Sequence, residues 1–314
     1  MSGNVTRGLC AVAAGTALAA FTLVTAGAAG AAPGAARSPA AAGTGRPAGA
    51  PGSQLWVRLY NGPGNSFDAA SSVAVSPGRS RVFVTGESQG TRSGLDYATV
   101  AYSAVTGARL WAARYNGPGN GNDAASSVAV RPGGATVYVT GTSYGGAATG
   151  DDYATVAYKT STGARLWVQR YNGPGNGNDA ASSVAVSPGG SRVFVTGASQ
   201  GTRSGPDYAT VAYSAATGAR LWVTRYNGPA NGDDAARSVA VSPSGSTVYV
   251  TGSSYPGSAT LAYSAATGKQ LWLARHNDML LAAVAVSPGG SRVYVTGLTG
   301  PFHYDYATVA YSAG

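Results

Sequence analysis

The chain has little of what most catalytic sites are built from. Among 314 residues there is one cysteine, Cys10, one glutamate, Glu87, and two histidines, His276 and His303. A single cysteine excludes an internal disulfide, and its place in the first ten residues excludes thiol chemistry from everything that follows. Charged residues make up only 11% of the chain while 47 residues are glycine, a balance that fits neither a disordered chain nor a helical one. No stretch carries sustained helical periodicity. Only one long uncharged apolar run exists, Leu9 to Val24, preceded by Arg7 and followed by Ala29-Gly30-Ala31. That order of basic, apolar and small residues reads as a secretory signal over 1–31, so the mature chain is expected to be exported, soluble and without a membrane span. Residues 32–53 are almost wholly Ala, Gly, Pro, Ser, Thr and Arg, with nothing to bury, and read as a disordered tether.

What is present is repetition. Trp56, Trp111, Trp167, Trp222 and Trp272 follow one another at spacings of 55, 56, 55 and 50 residues. Around each lie four runs rich in Val, Tyr, Phe, Trp and Thr, as in YATVAY, LWVQRY, SSVAVS and RVFVTG near Trp167, each bounded by a turn signal. The 261 residues from Gln54 to Gly314 divide into five units of about 52, which suits four strands and their turns. The pattern predicts an all-β, five-bladed propeller over 54–314, with four antiparallel strands per blade and SSVAVS innermost, where small side chains fit. Each strand type occurs five times, but the LW type starts the series at Leu55–Tyr60 and the ATVAY type ends it at Ala307–Tyr311. Pairing those two runs would complete the fifth blade and close the ring, removing two open edges. A monomer is expected on that basis.

The run Ala-x-Ser-x-x-Thr-Gly-x-x-x-Trp (Ala101, Ser103, Thr106, Gly107, Trp111, and again Ala212, Ser214, Thr217, Gly218, Trp222) resembles the tryptophan-docking repeat of PQQ-like quinoprotein propellers. Asp179-Ala180-Ala181 through Val195-Thr196-Gly197 is similar to the bacterial SBBP-type propeller repeat. The resemblance implies that the five tryptophans are structural docking residues. The chain departs from it where Ser103, Ser214 and Lys159 stand in place of the usual Asp, and in having five units where quinoproteins usually have eight. A PQQ-dependent reaction would also need a calcium site and an acidic base, and such enzymes commonly carry a vicinal disulfide, so no cofactor is expected.

The NGPGNGND loops and the loops after VTG should share one face, which carries most of the acids. Asp68, Asp123, Asp179 and Asp234 recur at one position and Asp96, Asp152, Asp207 and Asp305 at another. Oxygen-rich loops of this kind can bind Ca²⁺; equally, each Asp can cap its own loop by accepting backbone N–H groups. His276, Asp278, His303 and Asp305 gather near the fifth unit and form a candidate ligand or acid–base cluster, or else mark drift in a terminal repeat. Three Gly-x-Ser-x-Gly segments, at Ser88, Ser143 and Ser199, lack the following helix that makes such a serine nucleophilic. The net charge of +9 is spread over repeat positions such as Arg109, Arg165, Arg220 and Arg114, Arg170, Arg225, read as one solvated edge per blade. No nucleic-acid reader motif is present. The chain is thus expected to be a secreted binding or scaffold module for an extracellular glycan or protein, the alternative being an exported glycan-processing or quinoprotein-like enzyme on the same fold.

Overall fold

The computed structural model describes residues 50–299 and 305–314. The signal segment, residues 32–49 of the tether, Cys10 and His303 lie outside the described residues. Nineteen strands and no helix are found among those that are described.

The first blade is β1 (Asp68–Val75), β2 (Arg81–Gln89), β3 (Leu95–Ser103) and β4 (Arg109–Tyr115). The second is β5 (Asp123–Val130), β6 (Thr136–Gly146), β7 (Gly150–Lys159) and β8 (Arg165–Tyr171). The third is β9 (Asp179–Val186), β10 (Arg192–Gln200), β11 (Pro206–Ser214) and β12 (Arg220–Tyr226). The fourth is β13 (Asp234–Val241), β14 (Thr247–Ser254), β15 (Gly257–Ser264) and β16 (Gln270–His276). The fifth has three strands, β17 (Met279–Val286), β18 (Arg292–Thr299) and β19 (Asp305–Ser312). Every pairing is antiparallel and between chain neighbours, so each blade is a meander. SSVAVS-type strands are innermost: β1, β5, β9, β13 and β17 pack side by side in succession.

Two glycine positions explain how each meander holds its shape. Gly86, Gly141, Gly197, Gly252 and Gly297 oppose a bulge in the inner strand, and a Cβ on Gly141 would lie 2.1 Å from the Ala124 carbonyl oxygen. Gly107, Gly163, Gly218 and Gly268 turn the chain at φ of 69° to 75°, a region open to glycine at little cost. A tryptophan lies flat on each of these turns, so close that a Cβ on Gly163 would meet the Trp111 ring at 2.8 Å.

Those tryptophans come from the blade before. Trp111 donates its indole N–H to the Thr160 carbonyl at 2.8 Å, Trp167 to Ala215 at 3.3 Å and Trp222 to Ala265 at 3.1 Å. Around Trp111, Trp167, Trp222 and Trp272 lies one core each, and each core is a junction between blades rather than the interior of one. The second junction joins Tyr138, Tyr153, Ala157 and Trp167 of blade two to Ala181, Val184, Val193, Val195, Val211 and Tyr213 of blade three. Burying one such aromatic removes roughly 150–250 Å² from water, worth roughly 4–6 kcal/mol before entropy losses. Many polar groups in the junctions are satisfied locally, although the hydroxyls of Tyr158 and Tyr213 and the Trp272 indole N–H have no partner among the described residues. The Tyr153 hydroxyl donates to the Ala209 carbonyl, Thr140 and Thr155 bond each other at 3.0 Å, and the Val184 N–H reaches Ser127 Oγ at 3.3 Å.

The expected pairing of Leu55–Tyr60 with Ala307–Tyr311 is not observed. β19 pairs with β18 alone, and Leu55–Tyr60 runs extended outside every sheet. The segment instead seats on blade one as an outer strand of a preceding blade would. Trp56 covers Gly107 and donates to the Ala104 carbonyl at 3.1 Å, and Arg58 donates to the carbonyls of Gly107 and Thr106. Among the described residues β17 and β1 do not pack as the other inner-strand neighbours do, and no sheet is closed.

Candidate functional site

The loops after the outer strands and after VTG do share a face, and in blades two and three one carboxylate ties them together. Asp123 accepts the Gly117 N–H at 2.7 Å from the first loop and the Tyr144 N–H at 3.0 Å from the second. Asp179 does the same with Gly173 and Gln200 at 2.6 and 2.8 Å. Asp68 and Asp234 accept the N–H of Gly62 and Gly228. Burial raises the Asp123 and Asp179 carboxyls above the usual range, against the N–H and serine donors that lower them.

A second recurring acid holds the same loops through arginine. Asp96–Arg114, Asp152–Arg170 and Asp207–Arg225 form ion pairs at 2.8, 2.6 and 2.9 Å, with the carboxylates almost fully buried. Each guanidinium also donates to the hydroxyl and carbonyl of a serine, Ser88, Ser143 or Ser199. Arg170 and Arg225 reach on to the hydroxyls of Tyr115 and Tyr171 in the preceding blade, each at 3.1 Å. This corrects the reading of Arg114, Arg170 and Arg225 as a solvated edge: the acid on the adjacent strand draws them inward. Arg109, Arg165 and Arg220 are exposed, as expected. It also gives the Gly-x-Ser-x-Gly serines their role, as fully buried acceptors on strands. The available signal in the sequence was a constant 18-residue spacing between each Asp and its Arg.

The donor set around Asp68, Asp123, Asp179 and Asp234 is a poor fit to calcium, which takes six to eight oxygens. One oxygen of each accepts an N–H group, Asp68 Oδ1 and Asp234 Oδ1 are buried without a hydrogen-bond partner among the described residues, and in blade one a guanidinium nitrogen of Arg114 lies in the same cluster as Asp68 Oδ1 and Ser88 Oγ. Among the described residues no three acids or histidines converge. Of the candidate cluster at the fifth unit, His303 lies outside the described residues. His276 Nε2 lies 2.6 Å from the Tyr311 hydroxyl, while Asp278 and Asp305 are exposed and enter no ion pair among the described residues.

With the recurring acids engaged, the chemistry left exposed on this face is what differs between blades. The clearest case is a shallow depression of about 450 Å³ on blade two, lined by Gly121, Asn122, Ala124, Thr142, Tyr144 and Asp151. Tyr144 stands where blades one and three have Gln89 and Gln200, whose side chains bond the Ser93 and Ser204 carbonyls of their own loops. Asp151 has its carboxyl raised by burial and by the neighbouring Asp152.

Repeated four-stranded meanders joined by docking tryptophans define a β-propeller repeat protein. The family model described as outer membrane protein assembly factor BamB matches residues 47–252 and, shifted along the chain by about one unit, 96–300; the chain belongs to that PQQ-like repeat family. No curated protein matches it. Among solved structures it is similar to the hydrazine synthase of Kuenenia stuttgartiensis, at 16% identity and a TM-score of 0.56 over 78% of this chain. It spans 63% of that chain, and at this identity the likeness is one of fold.

Proposed function

We propose that the chain is an exported propeller module that binds or scaffolds rather than catalyses, recognising its ligand through the loop-bearing face. The observation that carries this reading is the use of the recurring polar groups: acids, arginines and serines brace the loops from beneath, leaving a firm surface whose exposed residues vary. Preorganised loops of this sort favour binding because little ordering entropy remains to be lost. The family's description, an assembly factor, accords with a role of that kind. On blade two, an aromatic ring beside an amide and a carboxylate suits a glycan, whose sugar faces stack on aromatics and whose hydroxyls bond planar polar groups. The fifth blade is completed in this reading by a Leu55–Tyr60 strand alongside Ala307–Tyr311.

Calorimetric titration with soluble cell-wall and plant oligosaccharides tests the binding claim. Binding abolished by Tyr144→Ala, with the melting temperature unchanged, supports it. Binding that ignores Tyr144 and Asp151 would remove the blade-two depression from the proposal, and release of shortened sugars would replace it with the enzymatic alternative.

A further inference from the structure

The two ends of the blade series carry the halves of a fifth junction. On blade five, Tyr294 and Tyr306 are 37% and 95% exposed. Their counterparts in earlier blades lie inside the junction cores: Phe83, Tyr138, Phe194 and Tyr249 correspond to Tyr294, and Tyr97, Tyr153 and Tyr208 to Tyr306, and all are at most 1% exposed. On blade one, Val73 and Val75 are 46% and 53% exposed, whereas Val128, Val184, Val239 and Val284, which correspond to Val73, are at most 8% exposed. Only the outer half of this blade-one face is covered, by Trp56, whose ring centroid lies 6.1 Å from that of Tyr102.

The sequence of the outer strand points to the blade it belongs to. Aligned on their tryptophans, LWVRLY and LWAARY place Leu59 where Arg114, Arg170, Arg225 and Arg275 stand in blades one to four. Blades one to four begin with Asp68, Asp123, Asp179 and Asp234; the fifth begins with Met279. In blade one the Asp68 and Arg114 head groups lie in one cluster. The single blade that loses its inner acid is therefore the one matched to the single outer strand that loses its arginine. Blade five keeps Asp305 in the place of Asp96, so the correspondence is between Met279 and Leu59 alone and does not extend to the whole set of charges. Leu59 is 92% exposed in its present place.

We infer that the occupant of the open β19 edge is the Leu55–Tyr60 segment of a second copy of this chain, so that the molecules associate head to tail. This rests on the reading that such a strand completes blade five. A second copy is favoured because one chain carries both half-junctions and yet leaves Tyr294, Tyr306, Val73 and Val75 exposed, while among the described residues β17 and β1 do not pack as the other inner-strand neighbours do. A neighbouring molecule's blade one and its seated strand can dock as a rigid unit onto blade five. Tyr306 would then donate to the partner's Ala98 carbonyl, as Tyr97, Tyr153 and Tyr208 do to Ala154, Ala209 and Ala259. One contact changes: Ala283 replaces the serine that accepts the inner-strand N–H at the other junctions, leaving this junction held by its aromatic and outer-strand contacts. Such a contact is heterologous, closing as a ring or growing by addition.

Val57 and Val309 should face each other, since Val100 faces Ala112 and Val156 faces Val168. In a Cys10→Ser background, chains of different tag length carrying only Val57→Cys or only Val309→Cys are mixed and oxidised. A disulfide-linked species containing one of each, absent from either chain alone, is the expected result, and sedimentation of the unmodified full chain should show mass rising with concentration. If the mixture stays unlinked while a chain carrying both substitutions links internally, blade five is completed by its own segment and the second copy is overturned. Failure of both overturns blade completion itself.

Discussion

Tyr153 and Tyr306 hold the same place in blades two and five, yet one is fully buried and the other 95% exposed. Nothing in their own strands explains this, for YATVAY surrounds both. The difference is made by the next blade. Blade three closes over Tyr153, and its Ala209 carbonyl accepts the hydroxyl. In this fold burial belongs to pairs of neighbours, so an individual blade has two half-interfaces and no interior of its own, which is the energetic structure of a repeat array.

The largest effect expected from that contrast is at the docking tryptophans. Trp167→Ala should cost about 3–5 kcal/mol, the range for truncating a large buried aromatic, and Trp56→Ala distinctly less, because Trp56 seals only half a junction. Equal losses in denaturant titrations would break the distinction between interior and end. A second comparison sets Arg170 against Arg275. Arg170→Met strands the buried Asp152 and should cost about 3 kcal/mol, the lower end for breaking a buried pair. Arg275 has no such acid, since Gly257 stands where the others have Asp, and bonds the Tyr226 hydroxyl instead. Its replacement should cost less than half as much, and a reversed order would sink the claim that the ion pairs brace the loops.

A smaller effect should appear on acidification. The Asp123 and Asp179 carboxyls are raised in the folded state, so between their unfolded and folded values the native chain holds more protons than the unfolded one. Stability from these two groups therefore increases as pH falls through that window and decreases as pH rises through it. The melting temperature should hold up between neutrality and the carboxylate range, and Asp123→Asn should remove part of that support, so that the variant loses stability more steeply on acidification; a shallower acid loss in the variant would contradict the sign. Smallest of all is Tyr306→Ser, expected to fall within about 0.5 kcal/mol in dilute solution, as exposed substitutions do. Tyr153→Ser should cost several times more. A concentration-dependent penalty at Tyr306 would show that another molecule covers it.

Much of the fold was legible because each strand announces itself by β-branched and aromatic residues and each turn by glycine. The tryptophan spacing carried the blade count, and Thr-Gly-x-x-x-Trp carried the docking. The junction between the two ends was not legible. Counting strands shows that one is missing from blade five, but whether two ends meet depends on how each blade leans on the next, which no local pattern encodes. On the loop face, both roles open to Asp123 were visible, and the choice between them required knowing that Gly117 and Tyr144 present N–H groups to one carboxylate. Arg114, Arg170 and Arg225 were misread because their recurrence was taken as one solvated edge per blade, while the 18-residue interval to each acid held the information.

The direction in which the tryptophans dock gives the array an order in time. Trp111 finds its carbonyl 49 residues downstream and Trp167 finds its own 48 downstream. A chain emerging from its N-terminus, or crossing a membrane in that direction, thus always trails one indole that has been made but not yet seated. Each blade is locked only by the turn that follows it, so assembly advances like a zip whose slider is the next Thr-Gly turn. A stall partway leaves a single unsettled tryptophan at the growing end, and everything behind it already fastened.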